Sequence, residues 1–515
     1  MRLVGLDWVI IALYGAIMLG AGIFFSRRAS RSVRDFFISG RSLPWWVVGT
    51  SMVATTFAAD TPLLVTSYVR SSTAGANWIW FNFAISHALM TFFLAALWRR
   101  ARVMTDVEVC ELRYSGAPGQ GLRLFKGAFF AFVSNSVVLG WVILAMATIC
   151  EEVLGLPKLT TIAASLVLAT LYASLAGLWG VVATDILQFT VAMFGSVLLM
   201  IKALGHVGGV TGFSSILPTL IAENGRPAMN ILPDVFSGAA TQGAIGGFLV
   251  AVCFQWWAWK YSDGGGVLVQ RMSAARDERH ATKGMLWFTV ANTALRPWPW
   301  IMVALVSMVV FPQLADHQAA YPRMMAHFLG PGLLGLMMAS ILAAFMSTID
   351  THINLASSYF VNDLYRRFLR PGASERHYVW TARFASFMFL CIGALIAVFS
   401  SSIIALFEFM LQLVAGAGAV FLLRWFWWRI NAWSEISAMV ASLAIATLLN
   451  LANAGDWFGH AFASWEIILL NIFLSGAVWL TVTFRTRPTE PGHLRAFYDR
   501  VQPPGAWGPF KTAAA

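Results

Sequence analysis

Two stretches of an otherwise apolar sequence concentrate groups able to hold an ion or a polar solute. Ala54-Thr55-Thr56-Phe57-Ala58-Ala59-Asp60-Thr61-Pro62 sets an acid and three hydroxyls beside a proline. Ala343-Ala344-Phe345-Met346-Ser347-Thr348-Ile349-Asp350-Thr351-His352 gathers hydroxyls, an acid and an imidazole. Proline removes a helical hydrogen bond and crowds the preceding turn, so nearby carbonyl oxygens need a partner, and a bound cation can be that partner. Two further stretches interrupt the apolar pattern: Gln255-Trp256-Trp257-Ala258-Trp259-Lys260 running into Asp263-Gly264-Gly265-Gly266, and Arg296-Pro297-Trp298-Pro299-Trp300. Enzymatic chemistry has no comparable footing, since the chain carries no metal-binding histidine cluster, nucleophile elbow or phosphate loop. Cys110, Cys150, Cys253 and Cys391 are scattered without metal-ligand spacing, and neither a disulfide nor a metal cluster is read from them.

The elements that must position these groups are membrane helices. Of the 515 residues, 58% are hydrophobic and 11% charged, with a mean hydropathy of +0.70, a balance that suits lipid rather than water as solvent. Spanning-length apolar runs predict an all-α, polytopic membrane protein of about thirteen helices at 6–26, 44–69, 77–98, 124–150, 159–177, 181–204, 239–260, 284–311, 333–360, 378–400, 403–424, 432–453 and 464–484. The first run is of full spanning length and is followed, not preceded, by its arginines, so it reads as a helix rather than a cleavable signal. The polar stretches then fall within the second, seventh, eighth and ninth helices, at a depth where polar groups mark function. Interruptions five helices apart are the signature of an inverted five-plus-five repeat. One transmembrane domain, 1–515, is expected, with repeats at 44–204 and 239–424, one extra helix before them, two after, and a tail at 485–515.

The net charge of +11 raises nucleic acid as a partner, and the placement of the charges argues against it. Of 35 Lys and Arg, 27 fall in alternate loops on one side and six on the other, leaving Lys260 and Arg296 within helices. By the positive-inside rule the rich side is cytoplasmic, which places the N-terminus outside and the C-terminus inside a plasma (inner) membrane. Tryptophans near helix ends, among them Trp45, Trp46, Trp425, Trp427 and Trp428, fit interfacial anchoring better than base stacking.

Several motifs in order resemble the sodium/solute symporter family, whose members share the LeuT-like inverted-repeat fold. Asp35-Phe36-Phe37-Ile38-Ser39-Gly40-Arg41-Ser42-Leu43-Pro44-Trp45-Trp46 is similar to the family's approach to its first core helix, and Gly177 to Gln188 resembles its fifth-core-helix signature. Gln270-Arg271-Met272-Ser273-Ala274-Ala275-Arg276 matches the stretch after the sixth core helix, and Ala344 to Thr348 with Asp363-Leu364-Tyr365 matches the eighth. The resemblance implies a principal sodium site made by carbonyls of Ala54, Phe57 and Ala344 and hydroxyls of Ser347 and Thr348. The i, i+3, i+4 spacing of the last three agrees, placing oxygen ligands on one helical face for a hard cation. The competing reading has Ser347 and Thr348 bonding back to their own preceding turn. A second sodium is implied at Asp185, Ser347, Asp350 and Thr351, where Asp350 replaces a hydroxyl. Two carboxylates there could grip one cation, or share a proton and hold none.

For the solute the resemblance points to Thr55, Thr56, Asp60 and Thr61 in the unwound segment, with His87, Gln255, Arg296 and Gln412 as further candidates facing the cavity. Arg296 stands where sugar-carrying relatives have Lys, and a guanidinium at that depth needs an anionic partner. A substrate carboxylate, Asp60 and Glu408 are the alternatives. The expected function is a sodium-coupled secondary active symporter that imports a small organic solute by alternating access, sodium being the co-transported ion. Its partners are solute, sodium and lipid, and a monomer suffices for that mechanism. An uncoupled channel or a solute sensor on the same fold is the alternative. The charge bias makes a direct prediction: single cysteines at positions 374 and 500 resist an impermeant external reagent in intact cells, and ready labelling of either would reverse the topology.

Overall fold

The computed structural model describes residues 3–29, 39–232, 242–258 and 262–511. Among them every extended element is a helix, and β pairing is confined to isolated bridges such as Leu43 with Ala275. Backbone groups in lipid have no water to bond, so each helix satisfies its own, and the apolar runs form helices for that reason. In chain order the principal ones are α1 (Gly5–Ala29), α2 (Trp45–Thr55), α3 (Asp60–Ser71), α4 (Ala74–Ala101), α5 (Gly116–Leu154), α6 (Lys158–His206), α7 (Gln242–Cys253) and α8 (Gly265–Ala274). There follow α9 (Glu278–Val310), α10 (Ala320–Phe328), α11 (Leu333–Leu369), α12 (Glu375–Phe399), α13 (Ile403–Ala415), α14 (Gly418–Phe426), α15 (Ala432–Ala454), α16 (Ser464–Arg485) and α17 (Pro491–Val501).

Eight of these runs are long and apolar enough to cross a bilayer, and the bent pair α13–α14, at 44°, makes a ninth candidate among the described residues. The shortfall against about thirteen lies in α1, in the broken pairs α2/α3 and α7/α8, and in α6. As a straight rod the 49 residues of α6 would extend roughly 74 Å at about 1.5 Å per residue. Both of its ends nonetheless lie near the short helix α10. Lys158 follows closely on Glu152, which is paired with Arg323 of α10 at 2.9 Å, and the His206 ring is 5.2 Å from Phe328 at the end of α10. The two ends therefore lie closer together than a straight rod of that length allows.

Each expected break is present. α2 stops at Thr55 and α3 begins at Asp60, placing Pro62 in the first helical turn, where a missing N–H costs nothing. α7 gives way after Cys253, and Gly264 at φ 116° caps the start of α8. A side chain at Gly264 would be strained at that φ and would crowd Trp98 and Met272. Lys260 lies outside the described residues. The start of α2 lies beside the end of α8: Leu43 N–H donates to the Ala274 carbonyl (3.1 Å) and Arg276 N–H to Leu43 (2.9 Å). α1 is pinned to α11 by Asp7, whose Oδ1 accepts the N–H groups of Gly332 (2.7 Å) and Gly335 (2.8 Å).

Two sequence expectations need correction. Trp425 is not an interfacial anchor but fully buried, edge-on to Trp98 with centroids 4.6 Å apart, whereas Trp45 and Trp46 are exposed as expected. Several basic residues counted as loop charges are buried inside the protein: Lys126, Arg271 and Arg424 face carboxylates, and Arg113 donates to the carbonyls of Arg424, Trp427 and Trp428. The tail beyond 485 is also folded down. Leu494, Phe497 and Val501 of α17 are buried, and Trp507 is fully enclosed, donating to the Trp425 carbonyl at 2.8 Å beneath the Arg113 guanidinium. Trp507→Ala should cost about 3–5 kcal/mol of stability and lower the melting temperature of the purified protein; an unchanged melt would show the tail to be unpacked.

Candidate functional site

The break between α2 and α3 is closed from outside by α11. Thr348 Oγ1 donates to the Thr55 carbonyl (3.1 Å), and Thr55 and Thr351 hydroxyls lie 3.2 Å apart. Ser347 Oγ donates to Asp185 Oδ1 (2.6 Å) on α6. Both hydroxyls thus bond across to other segments, whereas Thr56 bonds back to its own turn, at Met52 (3.0 Å) and Val53 (3.1 Å). Ala54, Phe57, Ala344, Ser347 and Thr348 are all buried around this junction.

The residues expected for a second sodium are divided. Asp185 accepts hydrogen bonds from Ser51 and Ser347 and faces the Arg271 guanidinium at 3.8 Å. Arg271, fully buried on α8, also donates to Thr351 (2.6 Å), Thr55 (2.9 Å), Ser51 (3.2 Å) and Gln270 (2.9 Å). A permanent cation of the protein thus stands among Asp185, Thr55 and Thr351. Asp350 stands apart: it is buried, with both carboxylate oxygens lacking a hydrogen-bond partner among the described residues. Sequence reasoning missed Arg271 because an arginine just past a membrane break reads as a loop charge.

On the other side of the junction lies a cavity of about 100 Å³, room for several waters. Thr55, Thr56, Asp60, Thr61, His87 and Arg296 all line it, as does Thr348. Asp60 is buried at the first turn of α3, with Oδ1 unbonded among the described residues, and Arg296 lies in its electrostatic field. Arg296 Nη1 donates to Thr56 Oγ1 (3.0 Å), and its guanidinium sits 5.7 Å from the Trp300 ring. A π-helical stretch at Ala291–Leu295 precedes Pro297 and aims it: Arg296 N–H bonds the Ala291 carbonyl five residues back (3.1 Å). Trp80, Trp141, Trp300 and Phe407 supply aromatic walls, and Asn77, Asn292 and His352 supply polar groups that the sequence reading had not singled out. His352 follows Thr348 by one helical turn, a spacing that puts both on one face without showing that the face borders the cavity.

The two remaining candidates lie elsewhere. Gln412 is committed to the C-terminal helices, donating to Ser464 (3.1 Å) and accepting from Asn450 (2.7 Å). Gln255 borders a second cavity of about 730 Å³ together with Glu408, whose carboxylate accepts the Tyr68 hydroxyl at 3.4 Å. Glu408 therefore lies on a different cavity from Arg296.

The sequence profile of the sodium:solute symporter family matches residues 36–443. The chain belongs to that family. Among relatives of this symporter, a sodium/glucose cotransporter of Vibrio parahaemolyticus is 27% identical over 478 residues, covering 86% of this chain and 85% of its own. A sodium/mannose cotransporter of Bos taurus is 27% identical over 485 residues, covering 86% and 78%. A solved structure of a Na+-coupled sialic acid symporter, substrate-bound and outward-open, superposes with a TM-score of 0.75 at 19% identity over 94% of this chain and 98% of that one. A nucleobase-cation-symport transporter in a closed conformation gives 0.52 at 12% identity over 90% and 98%. These two agree with the LeuT-like core of five plus five helices. The protein is a sodium-coupled symporter of a small solute rather than an enzyme, and the uncoupled channel and sensor alternatives draw no support from its relatives.

The Asp185–Arg271 pair has a measurable signature. Asp185→Asn leaves a buried guanidinium without its carboxylate and should destabilise by about 3–5 kcal/mol, while Asp185→Asn with Arg271→Gln should recover part of that loss. Additive losses in thermal melts would mean that the two groups are not coupled.

Proposed function

We propose that one sodium ion is carried per cycle, held by the carbonyls of Ala54, Phe57 and Ala344 and the hydroxyls of Ser347 and Thr348, beside a polyhydroxylated solute such as a monosaccharide or cyclic polyol. The Thr348–Thr55 bond carries this reading. It puts the hydroxyl of one helix on the freed backbone of the other, and both residues also line the cavity. A cation replacing that bond would order the two walls that the solute touches, and this is how binding of one raises affinity for the other. A single sodium is favoured because Arg271 already supplies positive charge among Asp185, Thr55 and Thr351.

Solute class follows from the walls. Flat aromatic faces pack on the apolar faces of a sugar ring, and closely spaced amides, hydroxyls, His87, Asp60 and Arg296 can satisfy its hydroxyls, any of which left unpaired in a dry site would be costly. The relatives named for glucose and mannose point the same way. A carboxylate-bearing solute is the second reading, favoured by the guanidinium of Arg296 on the cavity wall.

The repeats then run 44–204 and 239–424 and rock about the site in a plasma membrane, with the arginine-rich end cytoplasmic, the N-terminus outside and the C-terminus inside. Supporting this sidedness, the loops assigned to one side touch one another. Arg99 reaches the Ala275 carbonyl (2.8 Å) at the rich end, and Lys158 reaches that of Ser400 (2.6 Å) at the sparse end.

Uptake measured against sodium tests the assignment. Ser347→Ala with Thr348→Ala should raise the half-saturating sodium concentration about tenfold or more, since a hydrogen-bond-like contact to a charge contributes roughly 1.5–3 kcal/mol. No change in a well-expressed double variant would remove the site. In the same preparation monosaccharides or polyols should raise the melting temperature only with sodium present; a response to organic acids instead would transfer the solute assignment to the carboxylate reading.

A further inference from the structure

At the arginine-rich end three elements converge: the C-terminus of α4, the turn from α8 to α9, and the C-terminus of α17. They wall a cavity of about 740 Å³ whose lining is charged throughout, five arginines (Arg99, Arg100, Arg102, Arg276 and Arg500) against two acids. Both acids are engaged. Glu278 binds Arg100 at 2.8 Å. Asp277 caps α9, accepting the His280 N–H at 2.9 Å, and that bond with the neighbouring positive charges holds its carboxyl below the usual carboxylate range. Among the described lining residues, guanidinium groups outnumber carboxylates.

Apart from the Arg100–Glu278 pair, main-chain oxygens help to hold the arginines in place. Arg99 donates to the carbonyls of Ala275 (2.8 Å) and Arg276 (3.0 Å), and Arg500 reaches across from α17 to that of Ala101 (2.6 Å). Arg102 ends α4 in a left-handed conformation at φ 52°, a strained choice for a residue with a side chain, and its own carbonyl accepts the Arg41 guanidinium at 2.5 Å. Carbonyl dipoles fix direction but do not cancel net charge, so the like charges in this bowl repel one another until an anion enters. Planar guanidinium forks approaching from three sides suit tetrahedral oxyanions, whose oxygens accept paired N–H donors.

We propose that this bowl is a binding site for a phosphate-bearing ligand, which bridges Arg500 of the tail helix to the ends of α4 and α8 and so ties the tail to core elements of the transporter. The cavity is larger than one phosphate needs, which leaves room for a phosphate ester. The same chemistry is offered by the headgroup of an anionic phospholipid and by a soluble phosphorylated compound.

Thermal melting of the full-length protein distinguishes these sources. In low-salt, phosphate-free detergent, inorganic pyrophosphate should raise the melting temperature if the ligand is soluble. If it is a lipid, pyrophosphate should do little, and nanodiscs containing phosphatidylglycerol should raise it relative to phosphatidylcholine. In either case Arg102→Gln should weaken the dependence on ligand about tenfold, as loss of one charged hydrogen-bond donor does. Arg102 is exposed, so folding should survive, and the exposed Arg276→Gln provides a second variant. Absence of any response to both ligands, or a response of equal size in both variants and the parent, overturns the proposal.

Discussion

A helix that stops in mid-membrane leaves N–H and C=O groups that lipid cannot satisfy, each at a cost of several kcal/mol, and the rest of this structure is arranged around that constraint. The break between α2 and α3 is made tolerable by α11, whose Thr348 hydroxyl takes up the Thr55 carbonyl. The break between α7 and α8 is held differently. Asp263, just ahead of Gly264, is gripped by Arg424 of α14, while its carbonyl accepts the Trp98 indole. One opening is thus closed by a neutral hydroxyl and the other by a guanidinium. A neutral hydroxyl is bound less tightly than a guanidinium on a carboxylate, so the two breaks are chemically unlike.

Buried charge has a second use here. Glu435, fully buried on α15, holds Lys126 of α5 at 2.8 Å and Arg424 at 3.4 Å and accepts the Tyr114 hydroxyl at 2.6 Å. Through Arg424 the set continues to Asp263, so one of the two extra C-terminal helices is linked electrostatically to a broken core helix. Such pairs add little net stability once desolvation is counted, but losing one partner is severe, which makes them effective at fixing a single arrangement of helices. The Asp185–Arg271 pair does the same between α6 and α8.

Much of the fold could be read from sequence because lipid makes hydropathy and proline nearly sufficient descriptors. Pro62 announced the break at Thr55, and the polar face through Ser347 and Thr348 announced the helix that closes it. Burial of ions was not legible. Arg271, Arg424 and Lys126 have the same composition signature as loop arginines and lysines, and only three-dimensional placement shows their partners Asp185, Asp263 and Glu435, which lie far away in sequence. Gln412 and Gln255 illustrate the complementary difficulty: a lone amide on an apolar helix has a direction that periodicity does not fix, and both turned toward elements other than the central cavity. His352 was visible in the motif but silent, since nothing in a single sequence separates a cavity-facing imidazole from one bonded within the bundle.

The π-helical stretch ahead of Pro297 bears on how this helix can be edited. It accommodates one residue more than an α-helical path would, so everything beyond it is rotated relative to the segment before it. Deleting a single residue from 291–295 would remove the bulge and leave the following side chains facing as they do, whereas inserting a further residue there would swing them by about 100°. Arg296 would leave the wall and a neighbour would take its direction, with the helix itself intact. Insertion, rather than substitution, is therefore the small sequence change that presents a different chemical group at this face.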